Sequence, residues 1–208
     1  SWLIFSDGFV KTNLTTTVKR SADILLSVVG MMLALPLMAI TAALIKLDSR
    51  GPVLFRQQRV GQNGRVFTLF KFRSMRQDAE RGSGAVWATA GDPRITRIGR
   101  FLRKTRLDEV PQLFNVLVGH MSFVGPRPER PFFVEQLARE IPFYQQRHAV
   151  EPGLSGWAQV KYPSGSSRED AMEKLRYDLY YIKHMSIFFD LTIVLDTVKV
   201  VLFGKGAK

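Results

Sequence analysis

The sequence predicts an α/β domain in which a small β-sheet is surrounded by helices, preceded by a helical segment that enters a membrane. The residues from Ile24 to Ile45 form an uncharged, mostly apolar run of about 22 positions, near the length that crosses a bilayer core. Further on, β-rich runs flank Gln62-Asn63-Gly64, and Asn-Gly is a strong signal for a hairpin turn. Helical patterns dominate the rest of the chain, most clearly over residues 167–185 and 187–203.

The composition limits the classes of protein. The chain has 208 residues, enough for one domain with or without an appendage. Its formal net charge of +12 indicates a polyanionic partner, which leaves nucleic acid, an anionic membrane surface and phosphate-bearing substrates open. Because the sequence has no cysteine, disulfides, thiolate metal sites and cysteine nucleophiles are excluded.

The flanks of the apolar run bear on its topology. Basic residues stand on both sides of it: Lys19, Arg20, Lys46, Arg50, Arg56 and Arg59. Cytoplasmic flanks of membrane segments carry the excess of lysine and arginine, so both ends qualify as cytoplasmic. Pro36, in the middle, removes a helix hydrogen bond and favours a kink. We therefore expect a re-entrant helix-break-helix that returns to the face it entered; a straight span and a buried helix of a soluble protein are the alternatives.

The second run of the hairpin carries two basic side chains. In residues 66–73, Lys71 and Arg73 share one face of the strand, and Phe70 and Phe72 share the other, because successive strand residues point to opposite faces.

Two later helices have amphipathic character. After a polar, glycine-rich loop predicted at residues 77–91, arginines recur at every third position: Arg94, Arg97, Arg100 and Arg103. Apolar residues interleave with them, which suits either an anionic membrane surface or a solvated basic face over an ordinary core. Residues 187–203 form a final apolar helix that either lies in the membrane plane or packs against the domain.

The sharpest local feature is the pair Asp108-Glu109, at the start of a helix predicted over residues 107–117. Acidic residues and proline belong in a first helical turn, where backbone N–H groups can also receive a phosphate. Two carboxylates there can hold Mg²⁺ together with phosphate oxygens and water, and one carboxylate can act as a nucleophile on phosphorus. The alternative is that both acids only stabilise the helix through its dipole.

Arginines surround this acidic pair in the sequence. Arg103 and Arg106 precede it, and Arg127 follows in a turn that Pro126 and Pro128 make rigid. Guanidinium groups bind phosphate oxygens through paired hydrogen bonds, and a diphosphate needs several such donors. The alternative is an ordinary turn with an exposed arginine.

Other nucleotide and metal motifs are absent from the sequence. It contains no Asp-x-Asp pair, no P-loop, no Gly-x-Gly-x-x-Gly and no His-Glu-x-x-His. The three histidines, His120, His148 and His184, are scattered, so structural or exposed positions are expected for them.

Several long motifs occur in order along residues 19–203. They are Lys19-Arg20-x-x-Asp23, Lys71-Phe72-Arg73-Ser74-Met75, Arg103–Glu109, Pro111–Leu117, Met121–Pro128 and Pro152–Val160. This series resembles the bacterial sugar transferases, the monotopic phosphoglycosyl transferases, and residues 177–183 resemble members that assemble exopolysaccharides. Three residues depart from those common in the family, which bears on nucleotide-sugar specificity but leaves the acidic pair intact: His120, Glu151 and Lys161.

The resemblance implies a reaction. Asp108 would attack the β-phosphorus of a UDP-sugar, release UMP and hold the phosphosugar covalently, and polyprenyl (undecaprenyl) phosphate would then accept it. Glu109 completes the catalytic dyad, and both carboxylates would bind Mg²⁺. Further residues match positions near the phosphates or basic positions nearby: Arg103, Arg106, Arg127, Pro126, Lys71 and Arg73. Such a reaction is the first membrane step of exopolysaccharide or glycoconjugate assembly.

The resemblance also implies an organisation. Residues 1–18 are expected to link to a missing upstream portion, 19–50 to form the re-entrant membrane helix and 51–208 to form the catalytic domain. The active site would face the cytoplasm at the bacterial inner membrane, in contact with membrane lipid and without nucleic acid, and a homodimer is left open. Two rival classes are a basic binding module without catalysis and a UDP-releasing glycosyltransferase, against which the lack of Asp-x-Asp counts.

Overall fold

The computed structural model describes residues 13–79, 92–162, 165 and 167–203. Its helices are α1 Asn13–Asp48, α2 Arg97–Thr105, α3 Gln112–Leu117, α4 Pro131–Glu140, α5 Trp157–Lys161, α6 Arg168–His184 and α7 Ile187–Phe203. Its strands are β1 Leu54–Val60, β2 Val66–Phe72, β3 Ser122–Val124 and β4 Gly153–Ser155, and 3₁₀ turns cover Gln62–Gly64, Leu107–Glu109 and Tyr144–Ala149. Helices around small sheets agree with the predicted class. Residues 1–12 of the predicted linker and 80–91 of the predicted loop lie outside the described part.

Helix α1 is long, apolar and largely uncovered. It begins at Asn13 rather than at residue 19 and is helical without interruption through Pro36, so the predicted break is not seen. Within the described residues it is the one helix long and apolar enough to cross a membrane, and only 11% of its most apolar window is buried. A core helix of a soluble protein would be mostly buried, so this alternative does not agree with the structure.

Both ends of α1 contact the same globular body. Near the first end, the Arg20 guanidinium donates to the carbonyl oxygen of Val116 at 2.6 Å. Near the other end, Asp48 Oδ2 accepts from the backbone N–H of Ile98 at 3.2 Å, and Ile45 is 2% exposed in a cluster with residues of β2 and α2. The helix therefore runs along the surface of the body with one face covered and the opposite face bare.

The first sheet is the predicted hairpin. β1 and β2 pair antiparallel from Leu54 opposite Phe72 to Val60 opposite Val66. At the turn, Asn63 has φ 54° and Gly64 has φ 75°, the left-handed region that Asn and Gly tolerate best. The hairpin prediction is confirmed.

The second sheet was not predicted from the sequence, because each of its strands has only three residues. β3 and β4 pair in parallel, with Ser122 opposite Gly153. The two backbones approach so closely that a Cβ on Gly153 would lie 2.1 Å from the backbone nitrogen of Gly125. A Cβ on Gly156 would lie 2.3 Å from the carbonyl oxygen of Gly125. These glycines are therefore required where β3 continues towards Pro126 and Arg127.

Helices α6 and α7 confirm the prediction for the C-terminal part. The side chain of Ser167 accepts from the backbone N–H of Asp170, and the Asp170 carboxylate accepts from the backbone N–H of Ser167, which forms a capping box at the start of α6. α6 buries Leu175 against α4, and its later residues Tyr181 and Ile182 pack with α7. The second of these clusters includes Val124 of β3, so the C-terminal helices pack against the strand that leads to Arg127.

Candidate active site

The acidic pair lies in a tight turn between two helices. α2 ends at Thr105, and Arg106 then adopts φ 59°, a left-handed conformation that is costly for a residue with a side chain. The 3₁₀ turn Leu107–Glu109 follows, and α3 begins only at Gln112. The prediction of one helix over 107–117 was wrong in this detail, because the pair lies in a separate 3₁₀ turn, which Arg106 divides from α2 and which ends before α3 begins. The pair therefore does not stand in the first turn of an α-helix.

Asp108 is buried without full hydrogen bonding. Its residue is 8% exposed, and Oδ1 is buried with no hydrogen-bond partner in the described part of the chain. Burial raises the pKa of Asp108 above its usual value, although the nearby positive charge of Lys71 opposes this and that of Arg103 opposes it less. Buried polar atoms are normally paired, so this oxygen is a candidate point of ligand contact.

Glu109 is surrounded by cations. Its Oε1 accepts from Lys71 Nζ at 2.9 Å and from Arg127 Nη2 at 3.0 Å, and Arg106 Nη1 lies 3.9 Å away. Burial alone would raise the pKa of Glu109, but these cations hold it well below its usual range. Glu109 is therefore ionised throughout the physiological range and holds the cations in place.

The cations themselves keep access to solvent to different degrees. The side chain of Arg127 is 38% exposed and that of Arg106 is 41% exposed, so both can meet a ligand while they contact Glu109. The Lys71 side chain is 18% exposed, and burial lowers its pKa. Arg103, in the last turn of α2, is half-buried and close enough to Asp108 to lower its pKa. Six of the eight predicted site residues thus gather in one place: Asp108, Glu109, Lys71, Arg103, Arg106 and Arg127.

Two predicted residues have other contacts. The Arg73 guanidinium donates to the carbonyl oxygen and the hydroxyl of Ser49 at 2.7 and 2.8 Å, so its described hydrogen bonds hold the exit of α1 rather than the acidic pair. Pro126 is buried, and its carbonyl oxygen accepts from the backbone N–H of Gly153 at 2.9 Å. Contact of either side chain with a phosphate stays a prediction.

One buried ion pair was missed by the sequence analysis. Arg147 and Asp178 meet at 2.7 Å with side chains 6% and 3% exposed, and Arg147 Nη2 also donates to the carbonyl oxygen of Arg127 at 2.9 Å. The pair thereby fixes the backbone from which Arg127 reaches Glu109. A signal was present, since Asp178 occupies the buried stripe of α6 between Leu175 and Ile182, where an apolar residue is expected.

The two carboxylates of the site suit Mg²⁺ only when a bound substrate supplies further ligands. No group of three or more His, Asp or Glu side chains that could hold a metal occurs in the described residues. Mg²⁺ is often bound by one or two carboxylates, with water and substrate phosphates completing its shell. The unpartnered Oδ1 of Asp108, beside the Glu109 carboxylate, fits an ion that arrives with a diphosphate.

The described residues thus combine a long, largely uncovered apolar helix with a carboxylate buried among arginine and lysine side chains, a site suited to a phosphorylated ligand. The chain matches the bacterial sugar transferase family over residues 14–204, and it belongs to this family. The membership predicted from the motifs is confirmed.

Relatives with curated names agree with this membership. The chain is 51% identical over 191 residues to the UDP-N-acetylgalactosamine-undecaprenyl-phosphate N-acetylgalactosaminephosphotransferase of Aeromonas hydrophila, covering 92% of this chain and 45% of the relative. It is 44% identical over 202 residues to the UDP-glucose:undecaprenyl-phosphate glucose-1-phosphate transferase of Xanthomonas campestris pv. campestris, covering 96% and 42%. An exopolysaccharide production protein of Rhizobium leguminosarum bv. phaseoli is 45% identical over 197 residues, covering 90% and 97%. The chain thus spans less than half of the first two relatives.

Proposed function

We propose that this protein transfers a sugar-1-phosphate from a UDP-sugar to undecaprenyl phosphate, as the names of its relatives indicate for them. The observation that carries the proposal is the contrast within the acidic pair. Asp108 Oδ1 is buried and unpartnered, whereas Glu109 is bound by Lys71 and Arg127. One carboxylate is thus available for bond formation, and the other organises cations that suit a diphosphate.

The first step forms a covalent intermediate. Asp108 Oδ1 attacks the β-phosphorus of the UDP-sugar, the bond from this phosphorus to the oxygen bridging the two phosphates breaks, and UMP leaves with that oxygen. The product on the enzyme is an acyl phosphate that joins Asp108 to the phosphosugar. Arg127 and Arg106 bind the phosphate oxygens and offset the charge that develops on the leaving group, because both are partly exposed beside the pair.

The second step regenerates the carboxylate. A phosphate oxygen of undecaprenyl phosphate attacks the phosphorus of the acyl phosphate, the bond to Asp108 breaks, and an undecaprenyl-diphosphate sugar leaves. Asp108 is the better nucleophile of the pair, since the negative charge of Glu109 is neutralised by three cations at one oxygen. Asp108 and Glu109 would hold Mg²⁺ with the diphosphate, and the ion would supply further neutralisation of phosphate charge.

We propose further that the globular body lies on the cytoplasmic face of the inner membrane. The outer face of α1 exposes large apolar side chains, among them Leu25, Leu26, Met32, Leu33, Leu35 and Leu47. α7 adds a second exposed stripe of Ile187, Phe188, Leu191, Val194, Leu195 and Val198. These positions recur at helical spacing, so each helix turns one apolar face outward, as helices embedded in a lipid surface do.

The contacts of α1 support a topology in which both of its ends face the same side. A straight helix from Arg20 to Asp48 is about 40 Å long at 1.5 Å per residue, more than the thickness of a bilayer core. Both residues nevertheless bind the globular body. A body with buried ion pairs and many surface charges does not itself cross hydrocarbon, so α1 lies in the membrane surface with both ends on one side. The natural absence of cysteine allows labelling of Ser21→Cys and Arg50→Cys variants; labelling from opposite sides would restore a straight span.

The release of nucleotide tests the reaction. The detergent-solubilised protein is mixed with Mg²⁺, undecaprenyl phosphate and a panel of UDP-sugars, beside an Asp108→Asn control. We expect UMP release that depends on Asp108, and label from a radioactive sugar on the protein that hydroxylamine removes, since hydroxylamine cleaves acyl phosphates. Release of UDP would assign the protein to the glycosyltransferases, and release of neither nucleotide from the whole panel would favour the binding module.

A further inference from the structure

A buried asparagine occupies one edge of the hairpin. Asn115, in α3, is fully buried. Its Oδ1 accepts from the backbone N–H of Phe70 at 3.0 Å, and its Nδ2 donates to the carbonyl oxygen of Thr68 at 2.7 Å. Residues of an antiparallel strand alternate in the side to which they turn their N–H and C=O groups. The amide therefore serves β2 as a third strand would, on two of its backbone groups.

Two connections link the contacts of Asn115 to the acidic pair. Along β2, the residue after Phe70 is Lys71, whose Nζ donates to Glu109 Oε1 at 2.9 Å. Along the chain, α3 follows the turn that carries Glu109. A closed ring results, in which β2 and the Glu109–α3 segment are joined once through Lys71 and Glu109 and once through Asn115.

We propose that Asn115 is a positioning residue, which sets the place of Lys71 relative to Glu109 by holding β2 against α3. This inference rests on the proposed function, because the ring encloses the proposed catalytic pair. In the described part of the chain, Asn115 has no hydrogen bond to the acidic pair, and the proposed reaction gives it no contact with the substrate. It acts through Lys71, which neutralises Glu109 and lies close to Asp108.

The side chain at this position needs both a donor and an acceptor. A leucine, which has the same branched shape but larger methyl ends, leaves the Phe70 N–H and the Thr68 carbonyl buried without partners, which favours a shift of β2 towards solvent. An aspartate keeps the acceptor for Phe70 but loses the amide donor to Thr68. Movement of α3 to compensate is opposed by the Arg20 guanidinium of α1, which donates to the carbonyl oxygens of Val116 and Leu117 at 2.6 Å each.

A double-mutant cycle tests the proposal. Wild type, Asn115→Leu, Lys71→Met and the double variant are compared for kcat and for KM of the UDP-sugar, with UMP release as the readout. We expect Asn115→Leu to lower kcat about tenfold or more with KM changed less than about twofold, because a contact that organises the transition state acts on kcat. In the Lys71→Met background the same substitution should lower kcat less than about twofold, since the side chain that it positions is gone. Asn115→Asp should fall between wild type and Asn115→Leu.

A matched control separates positioning from general loss of stability. Leu137 in α4 is buried in a different cluster, so Leu137→Ala should lower the melting temperature without lowering the kcat of the folded fraction. Equal factors for Asn115→Leu in both backgrounds, or a kcat as high as that of wild type, would overturn the proposal. If Asn115→Leu does not fold, the cycle is read with Asn115→Asp, and equal factors in both backgrounds overturn it equally. Absence of UMP release from wild type would instead refute the proposed function itself.

Discussion

Two groups of buried charges are joined by the hydrogen bond from Arg147 to the carbonyl oxygen of Arg127, and they differ in how many of their polar atoms have partners. Around Arg147, every guanidinium nitrogen has a partner: Nε and Nη2 donate to Asp178 Oδ2 at 3.0 and 2.7 Å, and Nη1 donates to Tyr144 at 3.1 Å. Around the acidic pair, Glu109 Oε1 accepts from Lys71 and Arg127, whereas Asp108 Oδ1 has no hydrogen-bond partner among the described residues. The group around Arg147, which we call the closed group, has no place for a ligand. The group around the acidic pair, which we call the open group, leaves an oxygen of Asp108 and the partly exposed Arg106 and Arg127 for a ligand.

The largest effect is expected from the open group. Asp108→Asn replaces a nucleophilic oxygen by an amide of the same shape, so we expect UMP release to fall by roughly 10⁴-fold or more while the fold is kept. UMP release and hydroxylamine-sensitive labelling check this in parallel. If the variant keeps more than a small fraction of the wild-type rate and is free of contaminating enzyme, the covalent route is wrong.

The closed group should respond in stability. Asp178→Ala leaves the Arg147 guanidinium buried without its carboxylate, and removal of one partner of a buried ion pair typically costs about 3–5 kcal/mol. A thermal or denaturant unfolding curve measures the loss. Asp178→Leu combined with Arg147→Met should recover much of it, because no uncompensated charge is then left. A single variant as stable as wild type would show that the pair is not a structural element.

The sequence predicted those parts of the molecule that short-range signals determine. Asn63-Gly64 marks a turn that needs two left-handed residues, and Ser167 marks the start of the helix predicted over 167–185. The motif around Asp108 likewise identified the family and the residues that the structure brings together. None of these inferences required knowledge of which distant segments meet.

Other features depend on distant segments and were missed. β3 and β4 are three residues each, and their pairing becomes visible only when the glycine contacts at Gly125 and Gly153 are known. The 3₁₀ turn of the acidic pair depends on a left-handed Arg106, a position where glycine or asparagine is the usual signal. A proline inside a helix predicts a break, but α1 continues through Pro36 although this residue is exposed and no distant segment of the described chain covers it.

A smaller effect is expected at the edge of the open group. Arg127→Ala removes a cation that contacts Glu109 and that we expect to bind the diphosphate, and loss of one transition-state donor typically costs about 10²-fold in kcat. Arg139→Ala, which removes an exposed arginine of α4, is the matched control for net charge and should leave the rate unchanged. Equal rates for the two variants would remove Arg127 from the proposed mechanism.

The smallest effect is expected on thermal stability, where substitutions of the two carboxylates of the open group should shift the melting temperature in opposite directions. Burial raises the pKa of Asp108 above its usual 3.8. The contribution of Asp108 to stability therefore falls as the pH rises from about 3.8 through the pKa of the folded state. Asp108→Asn should accordingly raise the melting temperature at pH 7. The pKa of Glu109 is depressed below its usual 4.5, so its contribution is fully present above that value and is lost on acidification. Glu109→Gln should therefore lower the melting temperature at pH 7, with a difference from wild type that shrinks below about pH 4.5. Melting temperatures of both variants in the same detergent decide the matter, since a shift in the same direction would mean that the two carboxylates do not differ as their contacts indicate.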